Sequence, residues 1–247
     1  MTFLTGIAGG SGGGKTTLAD LIQKHLDHWG LKCFILSTDN CYRDLSPLTT
    51  SERDDLCFNP EKNYDHPSLL DFEKLVDYAR KLKEGESFEV PKYDFKIHGY
   101  GSERIYVPPS LDVAIVEGIY ALYSGSEVKR DLVSLYDFSI FVTTDPLIAQ
   151  CRRILRDYEE RGRTPSHIVR QLVSTVIPMQ RQYIGPTELN AKDVVNWRAD
   201  ETKNPEEVKM ELLRIARQKA AFIYERATGT QLLPDLNPDE VDIKGLG

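Results

Sequence analysis

Gly9-Gly10-Ser11-Gly12-Gly13-Gly14-Lys15-Thr16-Thr17 fits the pattern G-x-x-x-x-G-K-[ST]. Glycines without Cβ atoms let a backbone wrap an anion with its N–H groups turned inward. Lys15 would reach the β- and γ-phosphates of a nucleoside triphosphate, and the Thr16 hydroxyl would ligate Mg2+. Two acids sit where such a ligand needs them. Asp39 follows the second predicted strand, at the end where open α/β sheets bind ligands. It could take a proton from an attacking hydroxyl or help hold Mg2+, or it could cap a helix. Glu117 ends Val113-Ala114-Ile115-Val116, the layout of a metal-holding acid beside a phosphate loop, with a loop cap as the alternative. Arg152, Arg153, Arg156, Arg161 and Arg163 place five guanidiniums within twelve positions, interleaved with Asp157, Glu159 and Glu160. On a helix the first three share a face, and Gly162 frees Arg161 and Arg163 to swing. Phosphoryl transfer uses such a cationic segment, although a solvated helix laced with ion pairs has the same composition. Tyr93, Phe95 and His98 could hold a flat ring and read its edge, or simply pack on the core.

The elements that would position these residues alternate between strand and helix, which predicts an α/β fold: a parallel sheet with helices on both faces. Strands are predicted at 2–8, 32–37, 113–116 and 137–142, with an edge strand at 194–196. Helices are predicted at 15–28 (ended by Gly30), 69–83 (capped by Ser68, ended by Gly85), 146–158, 166–182 and 206–226. The polar stretch 38–67 is too long for an idle connection and should be a functional loop holding a short helix. Residues 87–107 alternate around a glycine-containing turn and read as an inserted β-hairpin. The expected organisation is one domain over 1–227, with the hairpin at 87–107 and an arginine lid at 152–171, then an acidic tail at 228–247.

Composition narrows the function classes. A net charge of −7 argues against a general nucleic-acid binder, so an anionic ligand must meet local positive charge. No apolar run approaches the ~18–20 residues that cross a bilayer. No signal-peptide pattern precedes the first strand, and Cys33, Cys41, Cys57 and Cys151 lack C-x-x-C spacing, so reduced thiols and a cytoplasmic location are expected. His25, His28, His66 and His167 have no ligand-like spacing. Asn190-Ala191-Lys192-Asp193 contains the residue types of the guanine motif N-K-x-D in the wrong spacing.

Taken together, these segments resemble the uridine (uridine–cytidine) kinase family within the phosphoribulokinase/uridine kinase group, over about residues 2–200. The glycine-rich loop is similar to that family's P-loop, and Asp39-Asn40-Cys41-Tyr42-Arg43 to its D-S-F-Y-R. Asn63-Tyr64-Asp65-His66-Pro67 is similar to N-F-D-H-P, and Pro91-Lys92-Tyr93-Asp94-Phe95 with His98 to P-x-Y-D-F-x-x-H. Glu117-Gly118-Ile119 resembles E-G-I, the arginine run resembles R-R-x-x-R-D…E-R-G-R, and Pro186-Thr187 with Ala191-Lys192-Asp193 resembles P-[ST]-x-x-x-A-D. The chain departs from these patterns at Asn40, Cys41, Tyr64, Ser68-Leu69-Leu70 and Lys192. The resemblance implies a P-loop kinase that uses ATP and Mg2+ to phosphorylate the 5′-hydroxyl of uridine or cytidine; the alternatives are a kinase of the same group acting on ribulose 5-phosphate or pantothenate, and a P-loop nucleotide-binding regulator without kinase activity. It implies Asp39 as the base, Thr16, Asp39 and Glu117 around Mg2+, and Lys15, Arg156 and Arg161 on the ATP phosphates. Asp65, Arg153, Arg163 and Gln171 would hold the ribose, and Tyr42, Tyr93, Phe95, His98 and Ile119 would line the rest of the nucleoside pocket. It further implies a homotetramer, feedback inhibition by CTP or UTP, and no nucleic-acid or membrane partner.

Overall fold

Short runs of apolar, often β-branched residues are buried on both faces in this chain, which is the signature of parallel strands between helical layers. The computed structural model describes residues 1–128, 131–197 and 204–232. Strand β1 (Phe3–Gly9) leads through the glycine-rich loop into α1 (Lys15–His28), and β2 (Cys33–Ser37) follows. After α2 (Thr50–Phe58) and α3 (Phe72–Glu84) come β3 (Phe88–Asp94) and β4 (Gly99–Val107). Strands β5 (Val113–Glu117) and β6 (Phe138–Thr143) precede α4 (Pro146–Glu159) and α5 (Pro165–Gln171). A short α6 (Ile177–Met179), β7 (Asp193–Asn196) and a long α7 (Pro205–Thr228) complete the order.

The strands pair in the order β2-β5-β1-β6-β7, and every pairing is parallel. Because β1 sits between β5 and β6, the chain reverses its direction of travel around it, and the loop leaving its carboxyl end opens into the crevice where ligands of such sheets bind. One face of the sheet packs α1 and α7 through Leu18, Ile22, Ala216 and Ile223; the other packs α3 and the aromatic residues of the hairpin side. β3 and β4 form a separate antiparallel ribbon with a register shift between Pro91 and Tyr93. Its turn spans 95–98 rather than the glycines, which lie inside β4, and His98 takes the left-handed conformation (φ 54°).

Two predicted helices change. The helix expected from 69 with Ser68 as its cap starts at Phe72, because Pro67–Leu69 forms a 3₁₀ turn capped by the His66 ring and the Asp71 carboxylate accepts from the Lys74 N–H. The single helix expected at 166–182 is α5, a wide π turn at Leu172–Val176, α6, a second π turn at Gln180–Ile184 and a 3₁₀ segment at Gly185–Asn190. Pro178 lies in this stretch without an N–H to donate, and widened turns accommodate such a residue without ending the helical path. The expected short helix within 38–67 is α2, closed by a Thr49–Glu52 capping box. Residues 233–247, most of the expected acidic tail, lie outside the described residues. Among the described residues no helix is long and apolar enough to cross a membrane, and all four cysteines are free thiols.

Candidate active site

The glycine-rich loop is built to approach something closely. Gly12 (φ 74°) and Gly14 (φ 89°) are left-handed, and a Cβ on either would strike the Ala149 carbonyl oxygen or the Trp197 ring. An L-residue at these positions would meet both steric and conformational penalties. Lys15 is buried, and its Nζ donates to the Gly10 carbonyl at 2.9 Å, curling over the loop. Burial pushes the Lys15 ammonium below its usual range against the opposing pull of Glu117 and Asp39. Burial likewise raises Glu117, opposed by Lys15. The Thr16 hydroxyl donates to Glu117 Oε2 at 3.3 Å. A glycine-rich loop, a buried cation and a helix N-terminus fit a nucleotide's phosphates.

Asp39 sits in a 3₁₀ turn (Thr38–Cys41) whose cap is Ser37, so the helix-cap alternative for Asp39 does not describe it. It lines the same cavity as Ser11, Lys15, Thr16 and Glu117. Among the described residues no group of three or more His, Cys, Asp or Glu side chains could cage a metal ion. Two carboxylates with one hydroxyl, leaving room for water and phosphate oxygens, nevertheless fit Mg2+, which takes few protein ligands.

The far side of the cavity is aromatic. Tyr42, Tyr93 and Phe95 contact one another with ring centroids 5.1–6.0 Å apart. Tyr64 stacks on His98 at 4.5 Å and 22°. Burial, reinforced by Arg163, Arg53 and Arg161, lowers His98 to about 4, so the ring is neutral at pH 7, and its Nδ1 is buried without a protein partner. Asn40, one of the departures from the family pattern, fixes the ribbon to this site: its side-chain oxygen accepts from the Tyr93 N–H at 3.0 Å. Ile119, two residues past β5, also faces the cavity.

Between the phosphate loop and the aromatic wall lies a buried charge cluster. Arg153 Nη1 meets Asp65 Oδ1 at 3.3 Å, and Gln171 donates to Asp65 Oδ2 at 3.5 Å. Asp65 is held from behind by Asn63, which accepts its N–H, and by Tyr120, whose hydroxyl donates to its carbonyl. Asp157 has no exposed side-chain surface and meets Arg153, Arg156, Arg161 and Arg163 at 3.6, 3.2, 3.1 and 3.3 Å. Burial alone would raise the Asp157 carboxyl, but the four guanidiniums outweigh it and hold it below the usual carboxylate range. Arg161 also lies 4.2 Å over the Phe95 ring, and burial with the neighbouring Arg156 lowers it to about 10.

The structure therefore brings Ser11, Lys15, Thr16, Asp39, Tyr42, Asp65, Tyr93, Phe95, His98, Glu117, Ile119, Arg153, Arg156, Arg161, Arg163 and Gln171 around one cavity. Gly10 and Gly13 face a neighbouring pocket beneath the loop, and Thr17 and Arg152 line neither. Arg161 and Arg163, expected to swing, are latched onto Asp157. Reading the sequence for chemistry missed Asp157 as an organiser and Tyr64 as a cavity wall. Spacing carried a signal for the first, since Asp157 is four residues from both Arg153 and Arg161. The guanine-motif look-alike is structural: Asn190 donates to the Leu122 carbonyl and Lys192 Nζ to the Tyr136 carbonyl.

Comparison with known proteins places the chain. The family model described as Phosphoribulokinase / Uridine kinase family matches residues 4–203. The uridine kinases of Staphylococcus epidermidis and Staphylococcus haemolyticus are each 40% identical over 194 residues, covering 78% of this chain and 87% of theirs. The structure of phosphoribulokinase from Rhodobacter spheroides superimposes with a TM-score of 0.60 at 15% identity, covering 83% of this chain and 73% of that one, a likeness of fold. Loop, acids, arginines and matched sequence agree: the chain is a P-loop kinase and belongs to the phosphoribulokinase/uridine kinase family.

Proposed function

We propose that this kinase transfers the γ-phosphoryl group of ATP to the 5′-hydroxyl of uridine or cytidine, giving UMP or CMP in pyrimidine salvage. The observation that carries this reading is the wall of Tyr42, Tyr93, Phe95 and neutral His98 sharing a cavity with Lys15 and Asp39. A sugar phosphate has no ring to stack and no edge to read, whereas a pyrimidine has both. When bound, ATP supplies the phosphoryl group and Mg2+ spreads its charge, with Thr16, Asp39 and Glu117 as the residues to hold the ion. The chain's own work is positional and electrostatic. Asp65, backed by Arg153 and Gln171, accepts from the ribose hydroxyls and orients the sugar. Asp39 takes the 5′-hydroxyl proton as the new O–P bond forms and the bond to the leaving diphosphate breaks. Arg156 and Arg161 meet the negative charge on the transferred group and exclude water.

The reading extends to residues 1–227 acting as one kinase domain, in the cytoplasm, as a homo-oligomer by resemblance to the family. The test is Mg2+-dependent ADP formation from ATP with uridine, cytidine, adenosine, ribulose 5-phosphate or pantothenate as acceptor. Turnover confined to uridine and cytidine is expected. Turnover only with a non-nucleoside overturns the pyrimidine pocket, and no turnover with any acceptor overturns the kinase chemistry assigned to Asp39.

A further inference from the structure

The two carboxylate oxygens of Asp157 divide the arginine cluster. Oδ1 takes Arg156 at 3.2 Å and Arg161 at 3.1 Å; Oδ2 takes Arg163 at 3.3 Å and Arg153 at 3.6 Å. The arms lead in different directions. Arg156 reaches the phosphate loop, its Nη2 donating to Ser11 Oγ at 3.4 Å. Arg153 reaches Asp65 directly, and Arg163 reaches it through Gln171, donating to Gln171 Oε1 at 2.8 Å while Gln171 Nε2 faces Asp65 Oδ2. One buried carboxylate thus reaches the phosphate loop through Arg156 on one oxygen and Asp65 through Arg153 and Arg163 on the other, while Arg161, also on the first oxygen, lies over Phe95.

We propose that Asp157 is a positioning residue that couples nucleotide binding to ordering of the acceptor site. The inference rests on the proposed function only in taking the glycine-rich loop as the nucleotide side and Asp65 as the acceptor side. Four guanidiniums share two carboxylates here, so the cluster carries surplus positive charge before any ligand arrives. Phosphate at the loop competes with Asp157 for Arg156. As that guanidinium turns to the phosphates, the Asp157 charge is shared among fewer partners, and Arg153 and Arg163 are held more firmly. Those two define the position of Asp65 and Gln171. By linkage an acceptor seated on Asp65 strengthens nucleotide binding by the same factor. A side chain that merely stabilised the fold would affect both ligands alike and transmit nothing between them.

The experiment follows hydrogen exchange in peptides spanning 63–66 and 163–171 on adding Mg2+ with adenylyl imidodiphosphate, with no acceptor present. In the wild-type protein exchange in both segments is expected to slow at least fivefold. In Asp157→Asn the analogue still binds, but the two segments exchange at the ligand-free rate. Equal slowing in the variant and the wild type, or none in the wild type, overturns the proposal. Exchange in β5 and β6 reports whether Asp157→Asn is folded. If it is not, Arg163→Gln cuts only the acceptor arm and must lose more than half of the slowing at 63–66; full slowing in that variant overturns the proposal instead. Steady-state kinetics supply a second readout. The KM for uridine falls severalfold as ATP rises to saturation in the wild type and stays constant in Asp157→Asn. Absence of any uridine turnover refutes the pyrimidine assignment and leaves the exchange result standing.

Discussion

Replacing Arg153 with Met tests the charge cluster most directly, because the stem volume stays and the charge goes. Arg153 and Asp65 are each 6% exposed. At an effective dielectric constant of about 20, their 3.3 Å contact carries roughly 5 kcal/mol of gross attraction, most of which offsets the cost of removing both ions from water. Removing one partner is not symmetrical with removing both. Asp157 keeps Arg156, Arg161 and Arg163, but among the described residues Asp65 keeps only Gln171 as a side-chain donor, at 3.5 Å. Broken buried pairs cost about 3–5 kcal/mol, and for a chain of this size each kcal/mol lowers Tm by about 2–4 °C, so a drop of about 6–20 °C is expected. Urea unfolding monitored by circular dichroism gives the free energies. Adding Asp65→Asn removes the orphaned charge, so the double variant should lose less than the sum of the single losses by about 1–3 kcal/mol. A single-variant loss below about 1 kcal/mol, with strict additivity in the double, would refute the view that Asp65 is a buried, ionised partner of Arg153.

Asp39→Asn should lower kcat by about 10²–10⁴ while the nucleotide analogue binds as before, measured by steady-state turnover and calorimetry; full-rate turnover removes Asp39 from the chemistry. His98→Asn keeps a residue that tolerates the left-handed backbone and removes the ring. It should raise the KM for uridine and change the uridine-to-cytidine ratio more than it changes the KM for ATP, and an unaltered ratio counts against the pyrimidine wall. His25 and His98 are both lowered to about 4, chiefly by burial. The unfolded chain therefore binds more protons than the folded one between pH 4 and the ordinary histidine value of 6.5, so stability should fall as pH drops through that window. Imidazole proton resonances of His25 and His98 that titrate above pH 6 in the folded protein would contradict this.

What the sequence revealed depended on how local each determinant is. The phosphate loop was legible because pattern, preceding strand and following helix lie within one stretch of chain. The ribbon was legible from alternation, but its turn was misplaced: glycines marked β4, while His98, a residue type seldom left-handed, made the turn. Ser68 has the right residue type for a cap, but it lies inside the 3₁₀ turn Pro67–Leu69, and Asp71 caps the helix instead. Nothing in the sequence from 166 to 182 announces the two wide turns that absorb the missing donor of Pro178. The arginine run was visible as composition but its state was not. Solvated and latched runs have the same sequence: the latch, Asp157, is local, but its burial and the link from Arg153 to Asp65, 88 residues away, are set by the fold.

The indole of Trp197 is 2% exposed and occupies the space a Gly14 Cβ would need, while its backbone is tied to Thr143 and Thr144 at the end of β6. The chain has one other tryptophan, Trp29, which stacks on His25 at 5.5 Å and caps the C-terminal end of α1, the end opposite the glycine-rich loop. The protein thus carries its own optical gauge of the phosphate loop. Ligand-driven adjustment at Gly14 alters the surroundings of one fluorophore, and replacing Trp29 with Phe leaves that emission unmixed. Nucleotide occupancy can then be followed in real time without a label, before any acceptor is known.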